Sequence, residues 1–195
     1  MRSVDAIILA AGGSGRFGQP KQLLPFQGES LVRRVVRSAI DAGSVSVIVV
    51  AGAARDRIET ELCGTPAVIV ENPGWQRGLG TSIRCGLLHV RSLQPESDAV
   101  VLLVCDQPFV DASVIQSLIA EWENSRKPIV ACCYAGTLGV PVLFDRSCFE
   151  ELLSLPDETG AKALLHSRFA DVAQMEFEKG SIDIDTPADF QSLTS

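Results

Sequence analysis

The sequence predicts an α/β protein built on a doubly wound, mostly parallel sheet with helices on both faces. Three observations carry that prediction. Apolar runs rich in Val and Ile alternate with amphipathic helical stretches from one end of the chain to the other. The runs lack the period-two alternation of a half-exposed strand, as burial on both faces of a parallel sheet demands. A glycine-rich stretch also stands directly behind the first run, where sheets of this kind place their ligands. At 195 residues the chain suits a single domain, residues 1–195, long enough to bury a full core.

Taken in order, AIILAA at residues 6–11 is the first buried strand. Ser30 is placed to cap LVRRVVRSAIDA, and Gly43 stands where that helix should stop. VSVIVVA, AVIVEN and AVVLLVC read as further buried strands, separated by the helical segments RDRIETEL and TSIRCGLLHVRSL. Asp111 is placed to cap ASVIQSLIAEWENS. PIVACCY and LGVPVLF follow as strands, then short helices around CFEELLS and AKALLHS, then VAQMEF and a last helix after Thr186-Pro187. One late antiparallel strand is expected in the sheet.

Composition excludes several classes of function. The formal charge of −7 argues against nucleic acid as a partner, because non-specific binding needs a basic surface. A few cations focused in a cleft can still hold a small anion. No apolar run reaches the length of a membrane span. Asp5 and the following glycines break the opening MRSVDAIILAAGG as a secretion signal, so a cytoplasmic protein is expected. The six cysteines form no C-x-x-C pair and only two histidines are present, so zinc spacing is missing. Cys132 and Cys133 should alternate faces of a strand as core packing, in a reducing compartment.

The glycine stretch LAAGGSGRFGQPKQ almost fits two familiar phosphate loops. Gly13, Gly15 and Gly18 spell the dinucleotide fingerprint, and Gly13 to Gly18 has P-loop spacing. Gln19-Pro20 stands where the P-loop needs Lys-Ser/Thr. Pro20 and Pro25 bar an immediate long helix, and VSVIVVAG ends without the ribose-binding acid. A third kind of loop remains, an anion nest of backbone N–H groups reinforced by Arg16 and Lys21.

Two other segments meet the strand-end rule. Asp106 in LLVCDQP is either a ligand-binding carboxylate or an Asx-turn residue before Pro108. In DIDTPADF, Thr186, Pro187 and Asp189 suit a helix start, while Asp183 and Asp185 fall on one face and are either metal ligands or solvated acids. The stretch NPGWQRGLGTSIRCGL, with Trp75, Gly78, Gly80 and Ser82, is either a ligand loop at a helix N-terminus or a plain capped turn. No obvious serine, cysteine or histidine nucleophile stands at a strand end. The chemistry implied is positioning and charge neutralisation, with the attacking oxygen on a second substrate.

LAAGGSGRFGQPKQLLPF resembles the signature L-A-A-G-x-S/G-x-R-x-G-x-x-K of nucleotidyltransferases that act on the molybdenum cofactor. The resemblance continues in order through WQRGLGTSIRCGL, CDQP, LGVPVLF, GAKALL and DIDTPADF, nearly the whole chain. It implies the Rossmann-like nucleotidyltransferase fold and transfer of NMP from an NTP to a phosphate monoester, with release of pyrophosphate and Mg2+ as cofactor. Leu9, Ala10, Ala11, Gly12, Gly13, Ser14, Gly15, Arg16, Lys21, Gly80 and Ser82 would bind the nucleotide. Arg16 would hold the leaving pyrophosphate, Lys21 the α-phosphate, and Asp106 with Asp185 the magnesium ion, making Arg16, Lys21 and Asp106 the catalytic set. Ala11, Pro20 and the acids of DIDTP resemble the cytidylyl branch, which implies CTP as donor, molybdopterin as acceptor and a molybdoenzyme as the partner receiving the product. Phe17 departs from the family's usual methionine, and Val140 stands where that branch often has histidine. Two alternatives stay open: transfer to another small phosphate such as a sugar phosphate, or a non-catalytic partner in cofactor insertion. A nicotinamide-dependent oxidoreductase fits poorly with Arg16, Pro20 and the missing ribose acid.

Overall fold

The structure, a computed structural model, describes residues 2–13, 15 and 17–194. The chain runs through β1 (Val4–Ala10), the hairpin strands β2 (Pro25–Phe26) and β3 (Glu29–Ser30), α1 (Leu31–Asp41), β4 (Val47–Ala51), α2 (Arg55–Glu61) and β5 (Val68–Glu71). It continues through α3 (Leu79–Leu93), β6 (Ala99–Val104), α4 (Ala112–Ser125), β7 (Ile129–Tyr134), β8 (Thr137–Asp145), α5 (Phe149–Leu153), α6 (Lys162–Ser167), β9 (Val172–Glu176) and α7 (Pro187–Thr194). The main sheet has the order β5-β4-β1-β6-β8-β7-β9. β1 pairs in parallel with β4 on one side and β6 on the other, with Leu9 beside both Val50 and Val104. β8 is the expected late antiparallel strand, pairing with β6 and with β7, and β9 returns to run parallel to β7.

Every residue of β1 is buried, and successive side chains enter different cores. Ala6 and Ile8 join Val32, Val36, Leu118 and Trp122 beneath α1 and α4. Ile7 and Leu9 join Ile83, Leu87 and Phe144 beneath α3 and the short helices α5 and α6. This two-sided burial is why the strands read as continuous apolar runs. Cys132 and Cys133 divide between the same two cores, as alternation requires.

Some elements differ from expectation. β1 begins at Val4, so Asp5 lies inside the sheet and is fully buried. Its Oδ1 accepts from the Ser46 amide at 2.9 Å and the Ser46 hydroxyl at 2.6 Å, which offsets burial of the carboxyl. The hairpin of β2 and β3 was not expected. It turns on Gln27 and Gly28 at φ 52° and 90°, the positive angles that a two-residue hairpin needs. α3 starts earlier than Thr81, with Gly78 ahead of it and no side-chain cap.

From β1 the chain builds outward to β4 and β5, then crosses to β6 on the other side. Strand order therefore reverses between β1 and β6, and the crevice at their carboxyl ends is where an open sheet of this kind receives a ligand.

Candidate functional site

That crevice is a cleft of about 460 Å³ whose lining includes Leu9, Ala11, Gly12, Lys21, Ser82 and Asp106. Gly12, Gly13 and Gly15 are exposed at its rim. Ala10 is buried under the loop. Ser14 and Arg16 lie outside the described residues.

Close contacts explain two glycines here. A Cβ on Gly13 would stand 2.9 Å from the Trp75 indole, and one on Gly52 would stand 2.6 Å from the Ala11 carbonyl and 2.7 Å from the indole. The Trp75 ring thus lies against the loop, and only glycine lets the two surfaces meet.

Behind the loop, Pro20 leads into a 3-10 turn over Lys21–Leu23 that brings the Lys21 side chain into the cleft. Its Nζ donates to Asp106 Oδ2 at 2.6 Å and to Asp185 Oδ1 at 2.8 Å. Burial works against the charged form of Lys21, but the two carboxylates outweigh it and hold its pKa above the ordinary value. Asp106 arrives from the end of β6. Asp185 arrives on the C-terminal segment, which is docked by the Ile184 amide donating to the Asp106 carbonyl at 2.9 Å.

Ile184 is fully buried with Leu24, Phe26 and Leu31. Beyond it Thr186 and Asp189 form a reciprocal cap on α7, the Thr186 amide donating to Asp189 Oδ2 at 2.7 Å and the Asp189 amide to Thr186 Oγ1 at 3.3 Å. Asp185 is thus held from both sides. Asp183 faces the same acids; burial, then Asp106 and Asp185, push its carboxyl up to about 6.

Sequence reasoning overlooked Gln22. It is 2% exposed, and its Nε2 donates to the carbonyls of Ala10 at 3.0 Å and Gly12 at 2.8 Å. Nothing in the local pattern signals this, because the bond pair exists only once the loop has folded over it.

Asn72 is a second such residue. Its Nδ2 donates to Thr81 Oγ1 at 2.8 Å and Ser82 Oγ at 3.0 Å, anchoring the start of α3. Gly80 does not line the cleft. Its amide donates to the Asp157 carbonyl at 2.9 Å and a Cβ there would run into the Pro156 carbonyl, so glycine lets the start of α3 lie close against the loop at residues 156–159.

A smaller apolar hollow of about 210 Å³ shares Leu9, Leu79 and Val104 with the cleft and is lined further by Tyr134, Val140 and Lys162. The Tyr134 hydroxyl donates to the Val140 carbonyl at 2.9 Å. In the cleft wall, burial pushes the Cys105 thiol well above the usual thiol range, so it is a poor nucleophile.

Asp106 and Asp185 converge on one cation and present hard oxygen donors, the chemistry that suits a divalent ion such as Mg2+. Among the described residues no three His, Cys, Asp or Glu side chains form a complete cage. Two carboxylates are the usual protein share for Mg2+, the remaining positions going to water and substrate phosphates. The residues present fit such an ion. Among the described residues no helix is long and apolar enough to cross a membrane.

The molybdenum cofactor cytidylyltransferase of Escherichia coli (strain K12) is 26% identical over 192 residues, covering 97% of this chain and 95% of its own length. Purine catabolism protein PucB of Bacillus subtilis (strain 168) is 28% identical over 202 residues, covering 96% of this chain and 94% of its own. The crystal structure of Rv0371c from Mycobacterium tuberculosis H37Rv matches with a TM-score of 0.86 at 29% identity, over 98% of this chain and 97% of that one. A structure of the same protein in complex with manganese gives 0.79 at 28% identity, over the same shares of the two chains. The model of the MobA-like NTP transferase domain matches residues 6–172, and the chain belongs to that family of nucleotidyltransferases.

Proposed function

We propose that this protein transfers CMP from CTP to the phosphate of a molybdopterin-type acceptor and releases pyrophosphate, with Mg2+ as cofactor. The observation that carries this reading is Lys21 bridged to Asp106 and Asp185 at 2.6 and 2.8 Å, in a cleft at the sheet's switch point beside a glycine loop. A cation, two acids and exposed backbone at one point suit a metal-bound triphosphate.

In this reading the backbone of Gly12, Gly13, Ser14 and Gly15 cradles the triphosphate, and Arg16 holds the pyrophosphate that leaves. Lys21 steadies the α-phosphate while an acceptor phosphate oxygen attacks it and the bond to the β-phosphate breaks. Leu9, Ala10, Ala11 and Ser82 shape the nucleotide end of the cleft. Gly80 supports the start of α3 by lying close against the loop at residues 156–159. Asp106 and Asp185 hold Mg2+, which when bound neutralises phosphate charge and polarises the α-phosphoryl group. The hollow beside the cleft offers an apolar-walled seat for the ring system of the acceptor, with Val140 in its wall. The similarity to the Escherichia coli cytidylyltransferase supports the choice of base and acceptor.

The test compares kcat/KM for the four NTPs, with molybdenum cofactor and a sugar phosphate as competing acceptors. CTP with molybdenum cofactor should be the best pair. A preference for GTP would overturn the choice of base, and exclusive use of the sugar phosphate would overturn the acceptor.

A further inference from the structure

Gln22 has no part in the roles assigned so far, yet its carboxamide joins two pieces of the site. Both hydrogens of the Nε2 group are spent on carbonyls two residues apart, at Ala10 and Gly12. Gln22 is also the residue next to Lys21 in the same 3-10 turn, so the bond that fastens the loop fastens the base of the lysine as well. A nest of N–H groups attracts an anion only where neighbouring carbonyls are kept from it, because a carbonyl oxygen repels phosphate. Two of the loop's carbonyls are kept by this one side chain. The burial of Gln22 makes the arrangement stiff, since a buried amide that lost its acceptors would go unsatisfied.

We propose that Gln22 is a positioning residue that sets the glycine loop and the Lys21 ammonium in one register for a triphosphate. The inference rests on the triphosphate reading above and adds to it the residue that makes loop and lysine a single unit. Gln22→Met keeps the length and bulk of the side chain and removes both donors. Gln22→Asn keeps the amide but shortens the reach by one methylene, too little to hold both carbonyls from the same backbone position.

Calorimetric titration with inorganic triphosphate and magnesium tests this in the wild type, Gln22→Met, Lys21→Met and the double variant, with thermal midpoints measured alongside. Gln22→Met should weaken triphosphate binding about tenfold, and by less than about threefold when Lys21 is already Met, the non-additivity expected of coupled residues. Gln22→Asn should match Gln22→Met and serves as the second variant if one folds poorly. A purely structural glutamine would lower the thermal midpoint and leave affinity alone. Wild-type affinity in both Gln22 variants, or equal losses in both lysine backgrounds, would overturn the inference alone. Wild-type protein indifferent to triphosphate would overturn the underlying reading and this inference with it.

Discussion

Lys21 reaches Asp106 and Asp185 across 85 and 164 residues of chain, and the three side chains share one charge problem where they meet. Two acids side by side need a cation, and the ammonium supplies it here. In the proposed function the same ammonium would face phosphate once a metal-bound nucleotide is in place. Lys21→Ala, and equally Arg16→Ala, should cut turnover on the order of 10²-fold or more while leaving the fold intact, because each loses charge stabilisation in the transition state and little packing. Asp106→Ala should abolish activity. Asp185→Ala should be severely impaired but partly restored by raised magnesium, since its side chain is 47% exposed and its loss leaves Asp106 in place. Steady-state kinetics across a magnesium series checks the set, and near-normal turnover of folded Lys21→Ala would remove the triphosphate reading. Lys21 and Asp106 were legible because each is a charge at an irregular position, one next to a proline and one at a strand end. Gln22 was not, since only its burial beneath the loop distinguishes it from a surface glutamine.

Elements with local causes were legible for the same reason. Asp111 was expected to cap the helix at residues 112–125, and its Oδ1 accepts from the Val114 amide at 3.1 Å and the Ser113 hydroxyl at 2.6 Å. Burial opposes its ionisation, but these bonds outweigh it and hold the carboxyl below its ordinary value of 3.8. Asp111→Ala should therefore destabilise the protein by about 0.5–2 kcal/mol at neutral pH. A depressed pKa gives stability that is fully present above 3.8 and fades as pH falls through the folded value, so the gap between wild type and variant should narrow in acid. Asp111→Asn should keep most of the cap and lose the pH dependence. Denaturant melts at neutral and acid pH measure both, and a gap that widens in acid would contradict the cap assignment. The hairpin at residues 25–30 escaped notice because strands of two residues carry no periodicity. Its identity lies in the Gln27-Gly28 turn and in Phe26 packing with Leu24, Leu31 and Ile184.

At the scale of the molecule the site is an assembly of three distant parts: the loop after β1, the end of β6, and the strap at residues 182–186 that crosses back over the hairpin. The sequence announced the first two through their strands. The strap's acids were ambiguous because extended polar residues look the same whether docked or solvated, and the docking is decided by Ile184, buried between Asp183 and Asp185. The two charges and their apolar neighbour form one device, in which hydrophobic burial holds a carboxylate beside Lys21 against the repulsion of Asp106. Ile184→Ala removes that anchor, a change that costs about 2–5 kcal/mol in a rigid core. The strap is peripheral to the sheet, so the cost should appear as local release rather than global unfolding, with the main cooperative transition kept. Manganese affinity should then fall about tenfold or more, although Ile184 touches no metal, because Asp185 is no longer held beside Asp106. Calorimetry with manganese, paired with a thermal melt, separates the outcomes. Unchanged manganese affinity in a variant with a lowered melting midpoint would mean that Asp185 reaches its place without the anchor, and that the strap's order comes from the backbone bond to the Asp106 carbonyl and the Thr186–Asp189 cap.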